Sequence, residues 1–216
     1  PILTADGTIS AAALIQDRKV LRYIGKKYIT ARREMGFLVP SKGYEYATIK
    51  GHKCAIIVGD DLSRERDFDQ SVETVISINA RKYGKGTMTY RYEMMRNLAF
   101  VESKNLVLVN QVGGSTDIVY DGTSGALNSR GELVLMMKNF EEDFQIFDTK
   151  ASARPISIPS TYNDRTRLVY EAAACGTSSA RTSTGRLRSA FRAASTRPWW
   201  PRSPPMRWGR RMSARC

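Results

Sequence analysis

Three short apolar runs and one amphipathic segment constrain the fold of this chain more than any other feature. The runs lie at residues 54–58 (CAIIV), 73–79 (ETVISIN) and 106–110 (LVLVN), and residues 88–104 place apolar side chains at helical spacing before the last run. Apolar runs of this length bounded by turn-forming residues are typical of strands buried on both faces. The order strand, strand, helix, strand predicts an α/β protein with a central sheet.

Polar turns on either side of these runs predict hairpins. Residues 9–25 hold two apolar stretches around the turn QDR (16–18), and residues 46–58 repeat the pattern around GHK (51–53). Beyond the last run, the stretches VYDG, TSGALN, GELVLMMK and FQIFD predict short strands with Gly or Asn turns, ending near Thr149.

Positive charge is concentrated at one end of the chain and does not describe its body. The 216 residues carry a net charge of +13, but residues 175–216 contain ten arginines and no lysine, aspartate or glutamate. That segment supplies +10 and leaves about +3 for the rest, which removes the motive for predicting a nucleic-acid partner. The segment lacks periodicity and is predicted to be a disordered tail, after a linker at residues 158–174 that enters a helix at 165–174.

The remaining composition predicts a protein without a membrane span, in a reduced cytoplasmic setting. No apolar run approaches the length that a bilayer requires. Cys54, Cys175 and Cys216 form neither a disulfide framework nor a zinc spacing, and no metal site is predicted. Cys54 is expected to be a core residue of its strand.

The order of motifs resembles the N-terminal glutaminase domain of glutamine-dependent NAD synthetases, a branch of the nitrilase (carbon-nitrogen hydrolase) superfamily. The segments that carry the resemblance are GKKYIT, CAIIVGDDLS, INARKYGKG and, most specifically, LVLVNQVGGSTDIVYDGTSGALNSRGEL, within roughly residues 9–150. The resemblance implies a nitrilase-type α-β-β-α sandwich over residues 1–157, truncated at its N-terminus. It also implies that Asn110 and the glycines after it allow left-handed turns near the glutamine site.

The chemistry of that family requires a cysteine nucleophile, a glutamate that moves protons and a lysine that stabilises the tetrahedral oxyanion. Lys26 matches the lysine, and Lys85 matches a basic position of the substrate-binding loop. Gly59 stands where the cysteine is expected, and Cys54 lies about 16 Å earlier along its strand, too far to replace it. The glutamate is expected upstream of the first hairpin and is absent.

The implied function is that of a fragment of a glutamine-hydrolysing NAD synthetase, which uses the released ammonia for ATP-dependent amidation of deamido-NAD. Glutamine and the synthetase domain are the implied partners, and ATP and magnesium are cofactors of that missing domain rather than of this chain. Because Gly59 carries no nucleophile, the chain is predicted to be inactive. The alternative is a non-catalytic nitrilase-like module for binding or assembly, and a homo-oligomer is expected.

A second pattern appears in the tail when its residues are back-translated into codons and the reading frame is shifted. In the shifted frame each codon starts at the third base of a present codon. Residues 190–197 then permit Leu-Ser-Gly-Gly-Ile-Asp-Ser, which resembles the motif that opens the synthetase domain, and Trp199 and Trp200 together require valine shortly after it. In that domain the glycines and hydroxyls cradle pyrophosphate. Residues 175–216 are therefore interpreted as an out-of-frame tail.

Overall fold

A computed structural model of the chain describes residues 1–32, 34–41, 45–64, 68–115, 118–149 and 154–183, with only the backbone for 161, 163 and 178–183. Within these ranges the helices are α1 (Thr87–Glu102) and α2 (Arg165–Ser183). The strands, in chain order, are β1 Ile2–Thr4, β2 Gly7–Ile9, β3 Ala11–Gln16, β4 Lys19–Gly25, β5 Glu45–Ile49, β6 His52–Val58, β7 Thr74–Asn79, β8 Asn105–Asn110, β9 Val112–Ser115, β10 Ile118–Asp121, β11 Gly125–Leu127 and β12 Leu133–Met136.

A six-stranded sheet with the order β12-β11-β8-β7-β6-β5 forms the centre of the molecule. The three predicted buried strands, β6, β7 and β8, lie side by side and are parallel, whereas β5, β11 and β12 pair antiparallel to their neighbours. The prediction of an α/β fold with a central sheet is therefore confirmed. Three two-stranded hairpins, β1-β2, β3-β4 and β9-β10, stand outside this sheet.

The two faces of the sheet are covered differently. Helix α1 packs its buried side chains against one face, which contributes Ile57, Val75, Leu106 and Leu108 to the main core. Each such side chain that is removed from water stabilises the fold by about 1.5–3 kcal/mol. On the opposite face Ile24 of the β3-β4 hairpin packs against β5 and β6. A helix therefore covers one face of the sheet and a hairpin packs on the other, which suits parallel strands because they are stable when both faces are covered.

The hairpin turns show why two predicted strand pairs form, and they correct the position of one turn. Asp17 and Arg18 both have positive φ angles (49° and 62°), which suits a two-residue turn whose twist matches that of the strands. The second turn is formed by Lys50 and Gly51, with φ angles of 48° and 84°, rather than by residues 51–53. His52 is already paired with Ile49 in the ladder, so the strand begins earlier than predicted.

The C-terminal part of the described chain departs from two predictions. Helix α2 packs against β9 and β10 and continues to Ser183, so residues 175–183 are helical instead of the start of a disordered tail. The physical reason is packing, because Cys175 is buried and Gly176 lies against Val119. Residues 144–148 (FQIFD) form no strand. The rest of the predicted tail, residues 184–216, lies outside the described residues.

Candidate functional site

The carboxyl ends of β6, β7 and β8 meet at one edge of the sheet. Gly59 follows β6, Asn79 ends β7 and Asn110 ends β8, with Asn79 paired to Asn110. Ligands of open α/β sheets bind beyond the carboxyl ends of the parallel strands, where loops supply side chains over a rigid base. This edge is therefore the candidate functional site.

Gly59 and Lys26, which are 33 residues apart in the sequence, are neighbours at this edge. Gly59 has a left-handed φ of +65° and begins a 3₁₀ turn, Gly59–Ser63. A Cβ atom added to Gly59 would lie 3.2 Å from Cε and 3.5 Å from Nζ of Lys26. The structure thus brings together the two positions that the sequence assigned to catalysis, and a side chain at residue 59 would face the lysine amine.

Lys26 is buried and held in a defined position. It is 5% exposed, its backbone N–H donates to the carbonyl of Ser10 and its own carbonyl accepts the N–H of Ser41. Its ammonium group donates to Glu34 Oε2 at 2.6 Å. A buried ammonium requires a partner, and Glu34 supplies the compensating charge.

Glu34 was not singled out from the sequence. It lies eight residues after Lys26 in an irregular segment, and nothing about its spacing identifies it as a partner. The available signal was weak: Glu34 is the first acidic residue after a run that contains Lys26, Lys27 and Arg32.

Asp61 ties the 3₁₀ turn to the segment that follows Lys26. Its Oδ2 accepts the backbone N–H of Lys27 at 2.6 Å and its Oδ1 accepts that of Tyr28 at 2.9 Å. Burial raises the pKa of the Asp61 carboxyl, whereas these two hydrogen bonds and the charge of Lys26 oppose the rise. Sequence reasoning missed this residue, because a buried aspartate cannot be distinguished from an exposed turn aspartate without the fold.

Asp60 makes a second connection between the strand ends. Its carboxylate accepts the hydroxyl of Thr30 at 2.9 Å and forms an ion pair with Arg81 at 3.3 Å. The side chain of Asp60 is 40% exposed, so this contact is partly open to solvent. Arg81 lies just after β7, so this ion pair joins the end of β7 to the turn after β6.

Asn110 links β8 to the same edge through its side chain. Its Oδ1 accepts the backbone N–H of Arg81 at 2.8 Å, and its Nδ2 donates to Asp121 Oδ1 and to the carbonyl of Gly122, each at 3.0 Å. Asn110 itself is extended strand, so the expectation that it provides a left-handed turn is wrong. Gly113, with φ of +114°, has the positive angle instead.

Lys85 is not one of the residues that the hydrogen bonds and ion pairs given above connect at this edge. It is exposed in the turn that precedes α1, and its predicted role in substrate binding stays a prediction. No group of three or more histidine, cysteine, aspartate or glutamate side chains suited to a metal ion occurs among the described residues. Within the same ranges, neither helix is long and apolar enough to cross a membrane.

An open cleft of about 500 Å³ lies beside the segment that follows Lys26. Its walls include Tyr28, Thr30 and Leu38, and the cations of Lys27 and Arg64 lie over the Tyr28 ring at 5.2 and 5.5 Å from its centroid. Residues 27–30 line the cleft, so it borders the segment that follows Lys26.

The fold is similar to that of solved carbon-nitrogen hydrolases. A CN-hydrolase superfamily protein from Xanthomonas campestris superposes with a TM-score of 0.56 at 16% identity, covering 65% of this chain and 56% of that one. At this identity the likeness concerns the fold alone. No family model matches the chain.

More specific similarity is to glutamine-dependent NAD⁺ synthetases, which confirms the resemblance predicted from the sequence. The synthetase of Acinetobacter baylyi is 26% identical over 171 residues, and that of Synechocystis is 28% identical over 124 residues. The matches cover 75% and 50% of this chain, and 32% and 22% of those proteins.

A solved synthetase from Acinetobacter baumannii, in complex with ADP, shows the same relation in three dimensions. It superposes with a TM-score of 0.67 at 25% identity, covering 84% of this chain and 36% of that one. The matched segments span 22% to 36% of the length of these relatives, and the chain is similar to their N-terminal nitrilase-type domain.

Proposed function

We propose that this chain is a glutaminase-like domain that binds glutamine beside Lys26 and does not hydrolyse it. The observation that carries the proposal is the position of Gly59. It directly follows the buried strand β6 and has the left-handed φ of a strand-to-turn elbow, and a Cβ atom added to it would face the Lys26 amine. These features support a site in which Lys26 can contact a ligand and residue 59 supplies no side-chain nucleophile.

The expected chemistry follows from Lys26 and Gly59, which together form the Lys26–Gly59 corner. Amide hydrolysis through a covalent intermediate needs a side-chain nucleophile, and glycine offers none. The buried ammonium of Lys26 can still donate a hydrogen bond to a carboxamide oxygen, at an energy that low local polarity strengthens. Glutamine would therefore bind without acyl transfer.

Binding and turnover are tested separately. Calorimetric titration with glutamine is expected to give a measurable affinity that Lys26→Ala weakens by about tenfold or more, since a hydrogen bond to a charged group contributes about 1.5–3 kcal/mol. Lys19→Ala, in an exposed part of β4, serves as the matched control and should leave the affinity unchanged. Equal affinity in all three proteins would overturn the binding proposal.

Ammonia release from glutamine is expected to be at background for the unaltered chain. Turnover that scales with protein and disappears in Lys26→Ala would contradict the predicted inactivity. The variant Gly59→Cys places a thiol at the elbow, and formation of a covalent glutamyl adduct on residue 59 in that variant alone would support the assignment of the corner.

A second candidate, a non-catalytic assembly module, is favoured by one feature of the sheet. Val58, Ile78 and Val109 form a lateral row on the face opposite α1, and Ile78 and Val109 remain 39% and 48% exposed. Exposed apolar patches mark interaction sites in many proteins. If two copies associate through this row, light scattering after size-exclusion chromatography should show a dimer that Val109→Asp converts to a monomer. An unchanged monomer in both proteins would exclude this candidate.

A further inference from the structure

Asp61 connects the 3₁₀ turn after β6 to the backbone of the segment that follows Lys26. It lies two residues after Gly59, is 3% exposed, and uses both carboxylate oxygens to accept the consecutive N–H groups of Lys27 and Tyr28. A carboxylate that receives two backbone donors fixes both the distance and the direction of the chain that supplies them.

The segment held by Asp61 is the one that carries Lys26. On its N-terminal side Lys26 continues from β4 and is bonded to Ser10, and its carbonyl accepts from Ser41. On its C-terminal side, the N–H groups of the next two residues are both bonded to Asp61. The elbow residue and the lysine that faces it are thus joined through a single buried side chain.

We propose that Asp61 is the positioning residue of the site: it holds Lys26 against residue 59 by anchoring the backbone immediately after the lysine. The proposal rests on the proposed function only in taking the Lys26–Gly59 corner as the site. Asp61 itself contacts neither a substrate nor a reacting atom.

The neighbouring aspartate offers a matched control. Asp60 lies in the same 3₁₀ turn and has the same charge, but it bonds the side chains of Thr30 and Arg81 rather than the backbone next to Lys26. If the position of Lys26 depends on backbone anchoring, Asp60→Asn should leave it in place while Asp61→Asn releases it.

A reporter thiol at residue 59 measures the position of the lysine without requiring enzymatic activity. In Gly59→Cys the Cβ lies within 3.5 Å of Lys26 Nζ, and the Lys26 side chain must shift by a few tenths of an ångström to accommodate it. A nearby ammonium lowers the pKa of a thiol, so the pH dependence of alkylation by iodoacetamide reports how close the ammonium remains. Tryptic cleavage after Lys53 and Arg64 leaves Cys54 in the same peptide, and fragment ions assign the label to residue 59.

The expected result has a sign that separates positioning from simple electrostatics. Asp61→Asn removes a negative charge, which by itself would lower the thiol pKa and speed alkylation. Loss of positioning moves the ammonium away and raises the thiol pKa by about one unit, so alkylation at neutral pH becomes about tenfold slower. We expect the slower rate in Gly59→Cys/Asp61→Asn, an unchanged or faster rate in Gly59→Cys/Asp60→Asn, and the slowest in Gly59→Cys/Lys26→Ala.

An unchanged or faster rate in the Asp61→Asn variant would overturn the proposal. If that variant does not fold, hydrogen exchange in the unaltered chain tests the same point: the amides of Lys27 and Tyr28 should exchange as slowly as those of β6, and rapid exchange would overturn it. Failure of glutamine to bind would overturn the proposed function. The alkylation and hydrogen-exchange results would still support or contradict the positioning role of Asp61.

Discussion

Asp61 and Asp121 are two buried carboxylates at the same edge of the sheet, and they are stabilised in different ways. Asp121 receives the guanidinium of Arg91 at 2.9 Å and the amide of Asn110 at 3.0 Å, so a full positive charge compensates it. Asp61 receives two backbone N–H groups, and the charge of Lys26 acts on it without a direct bond. Burial raises the pKa of both carboxyls.

The difference in partners corresponds to a difference in role. The Arg91–Asp121 pair connects α1 to the end of β10 and lies entirely in the interior, so it fixes how the helix sits against the β9-β10 hairpin. Asp61 connects a turn to a loop at the edge and fixes where one functional side chain points. A buried charge pair therefore determines the packing of elements here, while a carboxylate held by backbone dipoles determines the shape of the site.

The largest effect is expected from breaking the charge pair. Arg91→Met leaves Asp121 buried without its cation, and such a change costs about 3–5 kcal/mol of the free energy of unfolding. Urea denaturation measures it. The double variant Arg91→Met/Asp121→Asn should recover much of the loss, because the penalty comes from the uncompensated carboxylate. If Arg91→Met is as stable as the unaltered chain, Asp121 does not depend on its cation, and the proposed difference between Asp121 and Asp61 is wrong.

A smaller loss is expected at Asp61. Asp61→Ala leaves the N–H groups of Lys27 and Tyr28 without acceptors, at about 1–3 kcal/mol for unsatisfied buried donors. Water entering the space of the lost carboxylate would place the value near the lower end. Chemical denaturation checks the value, and a loss that matches or exceeds that of Arg91→Met would mean that Asp61 supports the whole fold rather than the local loop.

The pH dependence of stability separates Asp61 from an exposed aspartate. Because burial raises the folded-state pKa of Asp61, its contribution is fully present below the unfolded pKa and is lost as the pH rises through the folded pKa. Asp69 behaves oppositely: hydrogen bonds from Ser71 and Lys53 lower its pKa, so its contribution is lost as the pH falls.

Unfolding free energies of the unaltered chain, Asp61→Asn and Asp69→Asn, measured between about pH 3 and 7, show both contributions as differences. Relative to Asp61→Asn, the unaltered chain should lose stability with rising pH, and relative to Asp69→Asn it should gain. Two difference curves with the same slope would show that the environment of Asp61 is not the buried one described above.

The smallest effect is expected at an ion pair on the surface. Lys138 and Glu141 lie 3.2 Å apart with both side chains about two-thirds exposed, and exposed pairs contribute about 0–1 kcal/mol. Lys138→Ala should therefore shift the urea midpoint only slightly, and the shift should shrink further in high salt. A loss comparable to that of Arg91→Met would contradict the view that burial distinguishes the two pairs.

Much of the sheet could be predicted because the local residue pattern is enough to identify its central strands. The runs that became β6, β7 and β8 are apolar along their length, and no knowledge of partners is needed to see that they must be buried. Lys26 and Gly59 were both singled out through motifs, although their contact could not be. The Arg91–Asp121 pair joins residues 30 positions apart, and no periodicity links them.

At the start of the tail, by contrast, composition did not predict the local structure. Its composition predicted disorder from residue 175, but α2 continues to Ser183, and Cys175 and Gly176 of this helix pack against the rest of the fold. The interpretation of residues 175–216 as an out-of-frame segment stays a prediction. The nucleotide sequence across codons 165–216 tests it, since an extra or missing base near codon 173 should restore Ser-Gly-Gly-Ile-Asp-Ser, and a confirmed frame without that motif would reject it.

The sequence by itself determined the α/β class, the central strands, the hairpin near the N-terminus and the absence of a nucleophile at residue 59. These depend on side-chain period, turn chemistry and residue identity, which are properties of neighbouring residues. Only the tertiary structure decided that Lys26 faces Gly59, that Glu34 neutralises it and that Asp61 holds its backbone. Each of these depends on burial and distance between segments remote in the chain, and the folding of the β3-β4 hairpin onto the sheet creates them together.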